Sequence, residues 1–240
     1  MNAGTRRRRS VVELLTAGAP VFGAFEAERS AEGGRQAAAD PDIDFVFYDL
    51  EEAEWDMAAL GAFISALDGA AGAAGPPDVL LRIPPVRLDP EAAAIRAAEG
   101  LASGARGLIL PHVESPEDVR EVARVVGTRL WPVHPDGDVL IVAQIESSEA
   151  VEGVGPIVAT PGVGVVLPGQ KDLRHAYGDE AAVQAAVTSV LAAGTAADVP
   201  CGVTAGPHDV RARLEQGFRF IIAVGPGAAS LGRATATRED

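Results

Sequence analysis

The chain of 240 residues contains one cysteine, Cys201, and one lysine, Lys171. A single thiol can form neither an internal disulfide nor a cysteine-based zinc site. Cys201 stands beside Gly202 and Val203 in an apolar stretch, which reads as buried core rather than as a nucleophile. The one lysine leaves any Schiff-base mechanism a single candidate, and Lys171 lies next to Asp172, beyond the end of an apolar run. That is a poor setting for a covalent amine. No stretch approaches the ~18–20 uncharged apolar residues of a membrane span.

Positive charge is scarce as well. Lys and Arg total 20 against 34 Asp and Glu, giving a formal net charge of −14. A nucleic-acid binder needs a basic surface to neutralise phosphates, and docking on an anionic membrane needs the same, so both classes are excluded. Arg6, Arg7, Arg8 and Arg9 precede Val11, Val12, Leu14 and Leu15, but Glu13 and Pro20 interrupt the apolar run. This is a solvated basic segment leading into a first helix within residues 1–18, not an export signal, and the expected location is the cytoplasm.

What is present is a rhythm. Short apolar runs bounded by Gly, Pro or Asp recur at 21–25, 45–50, 79–83, 107–113, 139–145, 163–167, 201–204 and 218–224. Between them lie Ala-, Glu- and Arg-rich segments with helical spacing. Residues 91–101 place Ala94, Ile95, Ala98 and Leu101 on one face. Residues 116–126 follow Ser115 as a cap and turn Val119, Val122 and Val126 inward, and 181–193 repeat the pattern with Val183, Val187 and Leu191. Eight strands alternating with helices predict a single (β/α)8 TIM barrel over residues 1–240. An open doubly wound sheet is the alternative, but the first run carries only Gly23 where a dinucleotide-binding turn wants three glycines.

In such a barrel the chemistry sits at the carboxyl ends of the strands. Those ends carry Asp49, Glu51 and Glu52, then Arg82, His112 and Glu114, Gln144 and Glu146, the run from Gly169 through Lys171 to Asp172, and His208 and Asp209 after the seventh run. Glu146 and Asp172 are one strand–helix repeat apart and therefore come from neighbouring strands. Two carboxylates so placed make an oxygen-rich partial site suited to Mg²⁺ or Mn²⁺, although two solvated loop acids would read the same way.

The sequence Val142-Ala143-Gln144-Ile145-Glu146-Ser147, followed by Leu167-Pro168-Gly169-Gln170-Lys171-Asp172-Leu173, resembles the metal-binding motifs of the HpcH/HpaI aldolase and citrate lyase β-subunit superfamily. Tyr48-Asp49-Leu50-Glu51-Glu52, Leu81-Arg82-Ile83-Pro84 and Pro111-His112-Val113-Glu114-Ser115 resemble its other strand-end motifs, in order. The resemblance implies a metal-dependent TIM-barrel lyase that acts on a small 2-oxo acid through an enolate. It implies that Glu146 and Asp172 hold the cation, and that Arg82, held by Asp49, faces the carbonyl oxygen. Gln144, Gly169 and the backbone N–H groups of Lys171 and Asp172 would bind the substrate. Homo-oligomers are common among such barrels, and one is expected here.

The departures are specific. Glu52 stands where the aldolase branch has a histidine base, and the position of that histidine's aspartate partner falls at Ala102. Glu52 is therefore the candidate base, or else a partner of Arg82. Glu51 is expected to point away from the site, because strand residues alternate faces. The Asp49-Leu50-Glu51-Glu52 segment leans toward the citrate lyase side. The alternatives to aldol chemistry are thus a Claisen-type cleavage of an acyl thioester and a scaffold that keeps its metal without turnover.

Overall fold

Residues buried on both faces of a sheet read as continuous apolar runs, and here those runs become parallel strands. A computed structural model describes residues 8–237; Arg6, Arg7 and the terminal Arg238, Glu239 and Asp240 lie outside the described residues. The first half runs α1 (Val11–Thr16), β1 (Val21–Phe25), α2 (Ala31–Ala39), β2 (Phe45–Asp49), α3 (Met57–Ala70), β3 (Asp78–Arg82), α4 (Pro90–Ala102), β4 (Gly107–Leu110), α5 (Pro116–Val126) and β5 (Leu130–Trp131). The second half runs β6 (Val139–Ile145), α6 (Ser148–Glu152), α7 (Val154–Val158), β7 (Val165–Pro168), α8 (Gln170–Tyr177), α9 (Glu180–Ala196), β8 (Gly202–Ala205), α10 (Val210–Gln216), β9 (Phe220–Ala223) and α11 (Ala228–Ala236).

The sheet is the TIM-barrel arrangement that the rhythm predicts. Strands pair in the order β8–β9–β1–β2–β3–β4–β6–β7, all parallel. The ends meet at a bridge between Val166 and Cys201, where the Val166 N–H donates to the Pro200 carbonyl at 3.1 Å. The two-residue β5, which the apolar pattern does not signal, lies on the amino-terminal half of β6 ahead of β7.

Alternate strand residues fill the interior. Val21, Phe45, Phe47, Leu80, Ile109, Leu140, Val142, Val165, Leu167, Phe220 and Ile222 form one buried cluster, which α1 caps from the amino end with Val11 and Leu15. The Phe45 and Phe220 rings stack at 4.4 Å, and Gly23 makes room for them, since a Cβ there would fall on the Phe45 ring. A second, larger cluster lies between the strands and the outer helices.

Helix α4 corrects one expectation. Its buried face is Ala93, Ala97 and Gly100, whereas Ile95 is 55% exposed. Leu81 occupies the space a side chain at position 100 would need, so close approach to the sheet selects the small residues and leaves the large one outside. Cys201 is buried and burial pushes its thiol up, as the core reading requires. No helix among the described residues is long and apolar enough to cross a membrane.

Candidate active site

The strand ends open into a cavity of about 570 Å³ lined, among others, by Asp49, Glu51, Glu52, Arg82, His112, Gln144, Glu146, Gly169, Lys171 and Asp172. These residues, singled out from the sequence, therefore reach the same space, whereas Glu114 does not line it.

Arg82 sits at the centre. Strand register sets it opposite Asp49, and the two form a two-pronged pair: Nε donates to Oδ1 at 2.9 Å and Nη2 to Oδ2 at 2.5 Å. Nη1 lies 2.8 Å from Oε2 of Glu51 and donates to Gln144 Oε1 at 3.4 Å, while the guanidinium stands 5.2 Å from the Phe47 ring centroid. Burial opposes the charge of both partners of the Asp49 pair, but hydrogen bonding and mutual attraction outweigh it. Asp49 is held below the usual carboxylate range and Arg82 above its ordinary value.

Glu146 is the most enclosed acid lining the cavity, with a side chain 1% exposed. Oε1 accepts from Gln144 Nε2 at 2.9 Å and Oε2 accepts from the backbone N–H of His112 at 2.8 Å. Burial first, then the charges of Asp172 and Glu51, push its carboxyl up to about 7. Gly169 allows this packing, because a Cβ there would collide with the Glu146 carboxyl group. Burial likewise raises Glu51, against the pull of Arg82 and His112.

The tightest group of possible ligands is Glu51, His112 and Glu146, with one donor atom of each within 4.8 Å of the others. His112 Nε2 stands 3.3 Å from Glu51 Oε1 and its Nδ1 stands 3.5 Å from Glu146 Oε2. Asp172 faces the same cavity from the first turn of α8, with a side chain 35% exposed. Its backbone N–H already donates to the Gly169 carbonyl at 3.1 Å, so the N–H groups of Gln170 and Lys171 are the ones left at that helix start.

Besides the Asp172 N–H, two side-chain expectations change. Glu51 does not point away: β2 ends at Asp49, so strand alternation no longer governs residue 51, and the chain bends Glu51 back onto Arg82 and His112. Glu52, by contrast, is exposed at the mouth, and among the described residues the partners of Arg82 are Asp49, Glu51 and Gln144 rather than Glu52. Spacing alone gave no signal that His112 would join Glu51. The join depends on the left-handed backbone of His112, φ +49°, which follows Pro111 and ends β4 early.

The residues fit a divalent cation. Asp49, Glu51, Glu146 and Asp172 bring four carboxyl groups into one cavity with the Arg82 guanidinium, and two of the four are disfavoured as anions by burial. A hard cation would relieve that excess and find oxygen donors with open positions left for substrate.

Known proteins resemble the chain along most of its length. The sequence model of the HpcH/HpaI aldolase/citrate lyase family matches residues 35–232. The chain is 26% identical to a hydroxypyruvate/pyruvate aldolase of Paraburkholderia phytofirmans, over 84% of this chain and 85% of that one. It is 28% identical to a 5-keto-4-deoxy-D-glucarate aldolase of Salmonella paratyphi A, over 75% and 76%. Among solved structures, an HpcH/HpaI aldolase/citrate lyase family protein from Burkholderia cenocepacia superposes with a TM-score of 0.73 at 25% identity, covering 92% of this chain and 93% of that one.

Proposed function

The chain belongs to the HpcH/HpaI aldolase/citrate lyase family and is an aldolase-like carbon–carbon lyase, and from that premise we propose that it acts on a small 2-oxo acid with a divalent cation, Mg²⁺ or Mn²⁺. The observation that carries the reading is the enclosed Glu146 carboxyl beside Arg82, Gln144 and the second acid Asp172 in one cavity. Glu146 and Asp172 would hold the cation, with Glu51 and His112 close behind. Once bound, it would act as a Lewis acid that polarises the substrate carbonyl and lowers the cost of forming an enolate.

The protein's own groups divide the remaining work. Asp49 and Glu51 fix the Arg82 guanidinium, so that it meets the developing oxyanion without reorganising. Gln144 is held between Arg82 and Glu146 and lines the wall beside the carbonyl. The substrate carboxylate lies over Gly169 and the first N–H groups of α8 at Gln170 and Lys171, where a helix start favours an anion. Glu52, exposed at the mouth, accepts the proton from the carbon next to the carbonyl through a water.

A second reading of the base rests on one observation: His112 lies 3.3 Å from Glu51, so a carboxylate orients its ring. The function itself is tested without naming an acceptor. In D₂O, the C3 hydrogens of pyruvate should exchange for deuterium only when protein and Mg²⁺ or Mn²⁺ are both present, and Glu146→Gln should abolish the exchange. Exchange that persists in excess EDTA would remove the cation from the mechanism.

A further inference from the structure

The mouth of the barrel is divided by chemistry. In the strand order, β4 and β6 bring His112 and Glu146, β2 and β3 bring Asp49 and Arg82, and β7 leads into α8 with Asp172. The strands diametrically across from β6 and β4 are β1 and β9, and at the same level they carry Phe25 and Val224. Both side chains line the cavity, and both are exposed, Phe25 at 45% and Val224 at 38%. Phe25 packs on Phe47 with ring centroids 4.7 Å apart, and Ile222 lies one layer below. The result is a contiguous apolar wall facing an acidic, cation-competent one.

Isolated exposed apolar residues need no explanation, but a contiguous set inside a cavity marks a binding surface. No polar side chain stands among these four, and the polar groups that flank them, Thr204, His208 and Asp209, line the cavity on the β8 side beyond Val224. The connection after β9 is Gly225-Pro226-Gly227, and Glu26, next after Phe25, turns aside to accept the Asp49 N–H at 3.3 Å. The arginine and lysine side chains that line the cavity are also elsewhere. Arg82 is engaged by Asp49 and Glu51, Arg174 lies 3.0 Å from Glu180, and Lys171 stands on α8.

We propose that the wall of Phe25, Phe47, Ile222 and Val224 is the acceptor subsite, and that it selects an aldehyde whose substituent is apolar and uncharged, up to the size of a phenyl ring. The proposal rests on the 2-oxo-acid lyase reading and adds the identity of the second half of the substrate. In the addition direction, C3 of the oxo acid gives up a proton and forms a bond to the aldehyde carbon. The aldehyde's π pair becomes an alkoxide that takes up one proton, giving a 4-hydroxy-2-oxo acid with no net oxidation or reduction. The donor half lies against Arg82 and α8, and the acceptor's substituent leaves water for the β1–β9 wall.

The test pairs saturating pyruvate and Mn²⁺ with a series of acceptors: benzaldehyde, pentanal, glycolaldehyde and 4-oxobutanoate. Apolar pockets of this kind discriminate by about 10–200-fold, so kcat/KM for benzaldehyde and pentanal should exceed that for glycolaldehyde and 4-oxobutanoate by at least about tenfold. Phe25→Ser and Val224→Ser should each collapse that ratio several-fold. A preference for glycolaldehyde, or for 4-oxobutanoate reaching Lys171, overturns the proposal, as does a ratio that neither substitution moves. Deuterium exchange at pyruvate C3 without acceptor separates the two levels. Exchange with the wrong acceptor preference sinks the subsite alone, whereas no exchange at all sinks the lyase reading and the subsite with it.

Discussion

The backbone N–H of His112 donates to Oε2 of Glu146 at 2.8 Å, and it does so from a left-handed conformation, φ +49°, that a side chain disfavours. One strained residue thereby fixes the enclosed acid on β6 from the end of β4, and the same turn carries the imidazole between Glu51 and Glu146. Strain held by its surroundings at a site of chemistry is a recurring arrangement.

That strain is measurable. A left-handed φ costs a residue with a Cβ about 1 kcal/mol relative to glycine, so His112→Gly should be more stable than His112→Ala by roughly that amount in urea unfolding. Equal stabilities would mean that the turn relaxes when the imidazole is removed.

Gly169 carries the second prediction. A methyl group at this position collides with the Glu146 carboxyl group, so Gly169→Ala must displace the acid or the start of α8. Overpacking of this kind costs about 1–3 kcal/mol, and Mn²⁺ affinity should fall by at least about tenfold. Unchanged affinity would show that Glu146 is not held where the cation binds.

The barrel was legible because its strands are buried on both faces: each continuous apolar run became a strand within a few residues of its expected bounds. The strand-end rule grouped Asp49, Arg82, Gln144 and Glu146, and all four line one cavity. Face assignment failed where regular geometry stopped. Alternation could not be extended to Glu51, two residues past the end of β2, and helical spacing could not foresee that Gly100 rather than Ile95 would meet the sheet. His112 reaches Glu51 through a backbone angle that side-chain type and spacing do not encode.

Asp78, at the opposite end of the barrel, gives a pH signature. It accepts the Val11 N–H at 2.7 Å, and burial pushes its carboxyl up to about 6. The folded value lies above the unfolded ~3.9, so its stabilising contribution is present below that unfolded value and is lost as pH rises through about 6. Asp78→Asn keeps a carbonyl for Val11 and removes the titration. Wild-type stability relative to the variant should therefore fall between about pH 4 and pH 7, by at most ~3 kcal/mol. A flat difference across that range would contradict the assignment.

Glu52→Gln separates the two candidate bases. If Glu52 accepts the proton, turnover drops by roughly 10²–10⁴ while Mn²⁺ affinity is kept. A rate within a few-fold of wild type assigns the base to His112, whose replacement by Gln should then produce the loss.

Whether a divalent cation binds between Glu146 and Asp172 is read by electron paramagnetic resonance of added Mn²⁺, since free Mn²⁺ gives a strong signal that binding quenches. The wild-type protein should bind one Mn²⁺ per chain in competition with Mg²⁺, and Glu146→Gln and Asp172→Asn should each abolish saturable binding with the fold intact by circular dichroism. Saturable binding that survives both substitutions would contradict the account.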